Sequence, residues 1–302
     1  MPKPGAHAAV RAVRAETGAR IGAARLALAA PMSDTSVHAV RRELKRARAL
    51  LRILRPAAAS SAARHADRAL RDIGRDFGSA RDPAQLAAQL RATAAAAGVD
   101  HAALRVVLDR LAAERRAALK PVNTKRVSAK LARIARSVAR LRACGDESAL
   151  AAGFARIYRQ AREGYLRARD APVAEELHAW RRHTKRYWHA LELLRPAKPR
   201  VIHALARKAH RLADALGTDH DLALLELRLA GAPLATGVRR RLGPALARGR
   251  RDAQAEAFAL GAELYEQGPR RQAARASRYW KRWAEAFPAR APGAAGPRAK
   301  TG

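Results

Sequence analysis

The stretch VHAVRRELKRARALLRILRP, residues 37 to 56, has a counterpart 140 residues further on in LHAWRRHTKRYWHALELLRP, residues 177 to 196. His38 maps to His178, Arg41 to Arg181, Arg42 to Arg182, Lys45 to Lys185, Arg46 to Arg186 and Pro56 to Pro196, all at one offset. The register nearly persists downstream, where FGSARD (Phe77 to Asp82) faces LGTDHD (Leu216 to Asp221) at an offset of 139. Self-similarity at a fixed spacing constrains a fold more than local propensity does, because both copies must adopt one supersecondary plan. Two copies of a unit, expected to be related by a pseudo-twofold axis, are the economical reading.

The unit is expected to be helical. Val37, Val40, Leu44, Ala47, Leu51 and Leu54 recur at 3-4-3-4-3 spacing, as do Leu177, Trp180, Thr184, Tyr187, Leu191 and Leu194. That spacing is the apolar seam of a helix packed in a bundle. Much of the 49% hydrophobic fraction is Ala, and aromatics make up only 4%. Ala loses no side-chain entropy on entering a helix, so an all-α protein follows.

Pro and Gly divide the chain into helices of ordinary length. The first half is predicted to hold helices over 6–30, from the SDTS cap (Ser33 to Ser36) to Pro56, and over 60–79, 83–97, 100–119 and 124–143. CGDES (Cys144 to Ser148) reads as a break, with Asp146 as a candidate N-cap. The second half is predicted to repeat the plan over 147–169, 173–195, 198–217, 219–230, 234–266 and 269–286. With 302 residues there is enough chain for substantial cores. The expected organisation is two pseudo-symmetric helical bundles, residues 1–145 and 146–287. The tail 288–302, PARAPGAAGPRAKTG, lacks periodicity and large apolar groups and is expected to be disordered.

Opposite the seam, each repeated helix carries cations. At 100° per residue His38, Arg41, Arg42, Lys45, Arg48 and Arg52 fall within about a third of a turn, a stripe that rises about 21 Å. His178, Arg181, Arg182, Lys185 and His189 repeat the arrangement. Like charges four residues apart weaken a helix by about a few tenths of a kcal/mol per pair, and Glu at those positions would have gained a pair instead. Glu43 lies towards the apolar side, and only Glu192 reaches the second stripe. Net charge is +35, from 61 Lys plus Arg against 26 Asp plus Glu. Such a surplus raises the energy of the compact state, and a polyanion would relieve it. Arg offers a planar fork matched to phosphate oxygens and Lys a compact point charge, a mixture suited to a flexible polyanion.

Other classes are disfavoured. Cys144 is the only cysteine, which excludes an intramolecular disulfide and a Cys-based zinc cluster. No apolar run approaches the roughly 18 residues that span a bilayer, and MPKPGAHAAVRAVRAETGAR at the start has no signal-peptide stretch. A soluble, cytoplasmic protein is expected, with no cofactor and no metal.

VHAVRRELKRAR and LHAWRRHTKR, each a His followed by Arg at +3 and cations at +7 and +8, together with FGSARD and LGTDHD, resemble the CHAD family, the conserved histidine α-helical domain. The resemblance covers nearly the whole chain apart from its two ends. It implies a pseudo-symmetric pair of helical bundles that binds inorganic polyphosphate on a basic surface, often at polyphosphate granules. The family's basic positions fall on His38, Arg41, Lys45, Arg46 and Arg48, then on His178, Arg181, Lys185 and Arg186. The second copy departs from the pattern, with Trp188 at +10 and His189 at +11, which implies an asymmetric site. No E-x-E-x-K stretch of the fused CYTH triphosphatase type is present, and no room for a second domain is expected.

Asp82 and Asp221 are expected to orient stripe arginines. A hydrolytic site would need clustered carboxylates and a divalent ion; only DHD (Asp219 to Asp221) comes close, so an enzyme is not expected. The main rival to polyphosphate is non-specific binding of nucleic-acid phosphates. Single-strand binding employs aromatic platforms, whereas Trp180 and Tyr187 lie on the seam. A basic amphipathic helix can also lie on an anionic membrane, but bundle packing accounts better for the apolar face. Neighbouring cations should hold His38 and His178 neutral while bound phosphate favours their protonation, which predicts affinity rising from pH 8 to 6.

Overall fold

The structure, a computed structural model, describes residues 8–58, 60–77, 81–118, 122–142 and 147–286. Eleven α-helices are present among them: α1 (Ala8–Ala29), α2 (Asp34–Leu54), α3 (Ser60–Asp76), α4 (Arg81–Ala96), α5 (Arg105–Ala118), α6 (Thr124–Ala139), α7 (Glu147–Asp170), α8 (Ala174–Leu194), α9 (Pro199–Ala230), α10 (Thr236–Leu264) and α11 (Pro269–Ala286). Short 3-10 turns, His101–Leu104 and Arg195–Ala197, precede α5 and follow α8. The all-α expectation holds. Tail residues 288–302, and Cys144 and Asp146 of the break, lie outside the described residues.

Local sequence explains most boundaries. Ser33 caps α2 with a reciprocal box: its side chain accepts from the Ser36 amide, and the Ser36 hydroxyl accepts from the Ser33 amide. Asp100 and Asn123 cap the turn before α5 and the start of α6 through their side-chain oxygens. Both repeated helices end at the residue before Arg-Pro.

One predicted boundary is wrong. Residues 198–217 and 219–230 form a single helix, α9, of 32 residues. Glycine punctuation at Gly217 places the break, but tertiary contacts use Gly217 and the nearby Asp219 within the helix. Gly217 is buried, and a Cβ there would lie 3.2 Å from Nη2 of Arg181. Asp219 is 2% exposed and caps nothing; its Oδ1 accepts from Gln254 at 2.7 Å and from Arg250 at 3.2 Å, which ties α9 to α10.

Three apolar cores hold the helices. One gathers Ile21 and Leu28 of α1, Val40, Leu44 and Leu51 of α2, Leu70 of α3 and Leu131 of α6. A second joins Leu86 and Leu90 of α4 and Leu111 of α5 to Leu222 and Leu225 of α9 and Leu242 of α10. The largest takes Val13 of α1 and Ile53 and Leu54 of α2 together with aromatic residues from α7, α8, α10 and α11. Two of the three cores therefore draw on both sides of residue 145. All six seam residues of α8 are buried, and in α2 only Val37 is partly exposed.

α2 contributes to two cores at once, and this requires a close approach to α7. Gly153 permits it: a Cβ there would stand 2.2 Å from the carbonyl oxygen of Ile53. Gly153→Ala must separate the two backbones and should destabilise the fold by about 3 kcal/mol. Gly18→Ala has nothing within 4 Å of the added carbon and should stabilise by about 0.5 kcal/mol through reduced chain entropy. Urea unfolding of the two variants checks both values and the opposite signs.

Candidate functional site

α2 and α8 pack against one another, so the two cationic rows converge. Their mutual electrostatic influence shows the pairing: Lys45 acts on Lys185, Arg48 on Arg186, and Lys45, Arg46 and Arg52 on His189. His38, Arg42 and Lys45 are exposed and Arg41 is half-buried on α2. On α8 Arg182 is exposed, while His178, Arg181, Lys185, Arg186 and His189 are half-buried. The second row is thus the more deeply buried of the two. Two of its polar atoms, Nδ1 of His178 and Nε of Arg181, are buried without a hydrogen-bond partner.

Two buried carboxylates set the directions of the α2 arginines. Glu43, 5% exposed, accepts from Arg20 of α1 and from Arg42 and Arg46 of its own helix, at 3.0 to 3.3 Å. Asp67 of α3, also 5% exposed, accepts from Arg48 at 2.8 Å, Arg52 at 3.2 Å and Arg55 at 2.9 Å. The stripe read as continuous is therefore drawn aside at two points: Arg42 and Arg46 turn towards Glu43, and Arg48 and Arg52 towards Asp67.

Burial, and then the crowding of cations, depresses their proton affinity. Burial, with Arg181 and Lys45 nearby, lowers Lys185 to about 8, against the opposing pull of Asp214 and Asp221. Burial, with Arg186, Arg48 and Arg55, takes Arg52 down to about 9 although Asp67 favours its charge. Burial is also the main cause for the histidines: His189 falls to about 3 beside Lys45 and Arg46, and His183 to about 4 beside Arg186 and Arg182. His178 is lowered too, by burial and then by His220, whose ring centroid lies 4.7 Å away, and by Arg182.

The sequence-predicted residues are thus brought together, with one exception and several additions. The side chain of Asp82 lies outside the described residues. Asp221 lies near Lys185 and favours its charge, whereas Asp219 faces α10. Asp67, Arg55 and the α3 row Arg64, Arg68 and Arg71 were missed. Their 4-3 spacing in ARHADRALRD, a basic face interrupted by one acid, was the available signal. Among the described residues no group of three His, Cys, Asp or Glu residues is placed to hold a metal. No described helix is long and apolar enough to cross a membrane.

The sequence model of the CHAD domain matches residues 13–230. The chain belongs to the CHAD domain family. The crystal structure of the CHAD domain from the plant Ricinus communis superposes on it with a TM-score of 0.51 at 19% identity, covering 84% of this chain and 91% of that one. The shared fold is CHAD-like and all-α. No curated protein matches the chain.

In this CHAD domain the lowering of His178 runs in the direction expected of a histidine held neutral in the free protein, and Lys185 adds a second pH-sensitive group. His183 and His189 are too desolvated to take up protons between pH 8 and 6 in the free protein, and His178 is shifted the same way. Lys185 is the group poised near neutrality. An anion favours the protonated lysine, so binding is strongest below the free-state value and weakens as pH rises through it. Affinity for a polyanion should fall about two- to fivefold from pH 7.5 to 9.5, the worth of one ion pair. Lys185→Arg, whose guanidinium holds its proton more tightly than an ammonium, should lessen that decline in fluorescence titrations.

Proposed function

We propose that this CHAD domain binds inorganic polyphosphate in the groove between α2 and α8 and does not turn it over. The contacts are His38, Arg41, Arg42, Lys45, Arg46, Arg48 and Arg52 from α2, and His178, Arg181, Arg182, Lys185, Arg186 and His189 from α8. Residues 1–145 and 146–287 act as pseudo-symmetric halves that each contribute one row, with Asp221 orienting Lys185. A cytoplasmic place at polyphosphate granules follows from the same reading.

The observation that carries the proposal is the packing of α2 on α8, which sets the two cationic rows side by side. Burial, and then neighbouring cations, lowers Lys185 to about 8 and Arg52 to about 9 although Asp221 and Asp67 favour their charge. A chain of phosphates laid along the two rows brings negative charge to both. Each exposed ion pair contributes about 0.2 to 1 kcal/mol, so about ten contacts give micromolar to nanomolar affinity with no dominant residue.

Non-specific binding to nucleic acid relies on the same phosphate contacts and is the competing reading. The aromatic residues argue against single strands: Trp180 and Tyr187 are fully buried, and Trp188 stacks on His189 at 4.6 Å within the protein.

Replacing Arg41, Lys45, Arg181 and Lys185 together by Glu should abolish polyphosphate binding in a protein that circular dichroism shows to be helical. Retained affinity in that folded variant overturns the assignment. Competition between long polyphosphate and duplex DNA at equal phosphate, repeated across a salt series, separates the two readings. Polyphosphate should win at physiological salt, with log affinity falling against log salt by about 0.7 per phosphate contacted, the single-strand value.

A further inference from the structure

Where α2 reaches its C-terminal end, the molecule holds a pocket of about 340 Å³ between α2, α3, α7 and α8. Its chemistry differs from that of the groove. The groove mixes Lys45, Lys185 and histidines with arginine, whereas every cation lining the pocket is an arginine. α2 contributes Arg48 and Arg52, which hold Asp67 together with Arg55 just beyond the helix, and α3 adds Arg64, Arg68 and Arg71. Arg156 of α7 and Arg186 of α8 complete the lining, so eight guanidinium groups surround one carboxylate.

The pocket is built and fixed in place. Arg156 donates to the backbone carbonyl of Arg52 at 2.7 Å, and Ile157 beside it belongs to the largest core. Nε of Arg55 is buried there without a hydrogen-bond partner. Arg48, Arg52 and Arg186 line the pocket and also belong to the two rows, so groove and pocket are continuous. Asp67 compensates one charge of the eight and Asp72, paired with Arg71 at 3.0 Å, a second, so six remain in excess.

Guanidinium forks suit an anion that offers several oxygens in one plane with high charge density. The units of a condensed phosphate chain are not equal in this respect. An internal phosphate carries about one charge on two non-bridging oxygens, whereas a terminal one resembles a phosphomonoester, with about two charges and three acceptor oxygens. A run of internal phosphates matches the long mixed groove, and the end group matches a compact pocket lined by arginine alone.

We infer that this arginine pocket is a subsite for the terminal phosphate of a condensed phosphate chain whose following units lie along the α2/α8 groove. The inference rests on the polyphosphate reading of the groove. It makes the site directional: one end of the chain is anchored at Asp67 and its arginines, and the remainder runs towards Lys45 and Lys185.

Calorimetric titration with two small probes tests it. Linear tripolyphosphate has two ends; cyclic tetrametaphosphate has none and carries a similar charge of about four. The wild-type protein should bind the linear probe at least tenfold more tightly at fixed ionic strength. In the double variant Arg64→Gln, Arg68→Gln, which changes two exposed side chains, that preference should disappear while long-chain polyphosphate binds within about threefold of wild type. Asp67→Asn, folded by circular dichroism, removes the internal anion and should tighten tripolyphosphate at least threefold. Equal affinity of the wild type for the two probes overturns the inference, and so does a preference that survives in the double variant. Either result leaves groove binding of long chains intact, whereas failure of the wild type to bind any condensed phosphate overturns the groove reading itself.

Discussion

The contact between α2 and α8 is the constraint on which the rest of the structure depends, because it presses two cation-rich faces together in a chain of net charge +35. Self-repulsion opposes that arrangement, and apolar burial overrides it. α2 sends Leu44 and Leu51 into one core and Ile53 and Leu54 into another, and each such side chain contributes about 1.5 to 3 kcal/mol when fully buried. α8 is fixed as firmly by Trp180, Tyr187 and Leu191. With both seams anchored, neither helix can rotate to move its cations apart without exposing leucine or tryptophan. The electrostatic strain is thus a consequence of packing.

The two halves manage that strain by different means. In the first, Glu43 and Asp67 each gather three guanidinium groups, so six charges are held by two buried carboxylates. Removing either acid leaves its arginines crowded and desolvated, the situation in which a buried pair matters most. The residue 140 positions after Asp67 is Arg207, so the second half lacks the device. There Arg181 lies over Gly217, where the missing side chain leaves room for the guanidinium, and Lys185 has only the more distant influence of Asp214 and Asp221. The two similar segments share their cations more closely than the groups that hold them.

That difference also explains what the sequence disclosed. The seams were legible because a 3-4 periodicity is read locally, and the burial of Leu177, Trp180, Thr184, Tyr187, Leu191 and Leu194 follows it residue by residue. Capping at Ser33 was legible for the same reason. The continuity of α9 was not, since Gly217 and Asp219 are helix-ending residues by propensity and are turned to other uses by Arg181, Arg250 and Gln254, which come from distant parts of the chain. Asp67 was hidden likewise. Nothing in HADRAL distinguishes an acid that pairs with three arginines of the preceding helix from one that faces solvent, and only the packing of α3 on α2 decides it.

The depressed proton affinities connect stability to binding. Burial, and then neighbouring cations, disfavours the charged forms of Lys185 and Arg52, so the packing that holds α2 against α8 also raises the cost of keeping them charged. In the proposed complex an anion favours the charged forms of those groups, which adds to the worth of its new contacts. Because Lys185 and Arg52 sit in different parts of the groove and are displaced by different neighbours, that relief is distributed along the ligand. A single compact anion relieves one end only. In the proposed complex a chain able to reach both relieves more of it, so the length of the two rows favours an extended polyanion over a compact one.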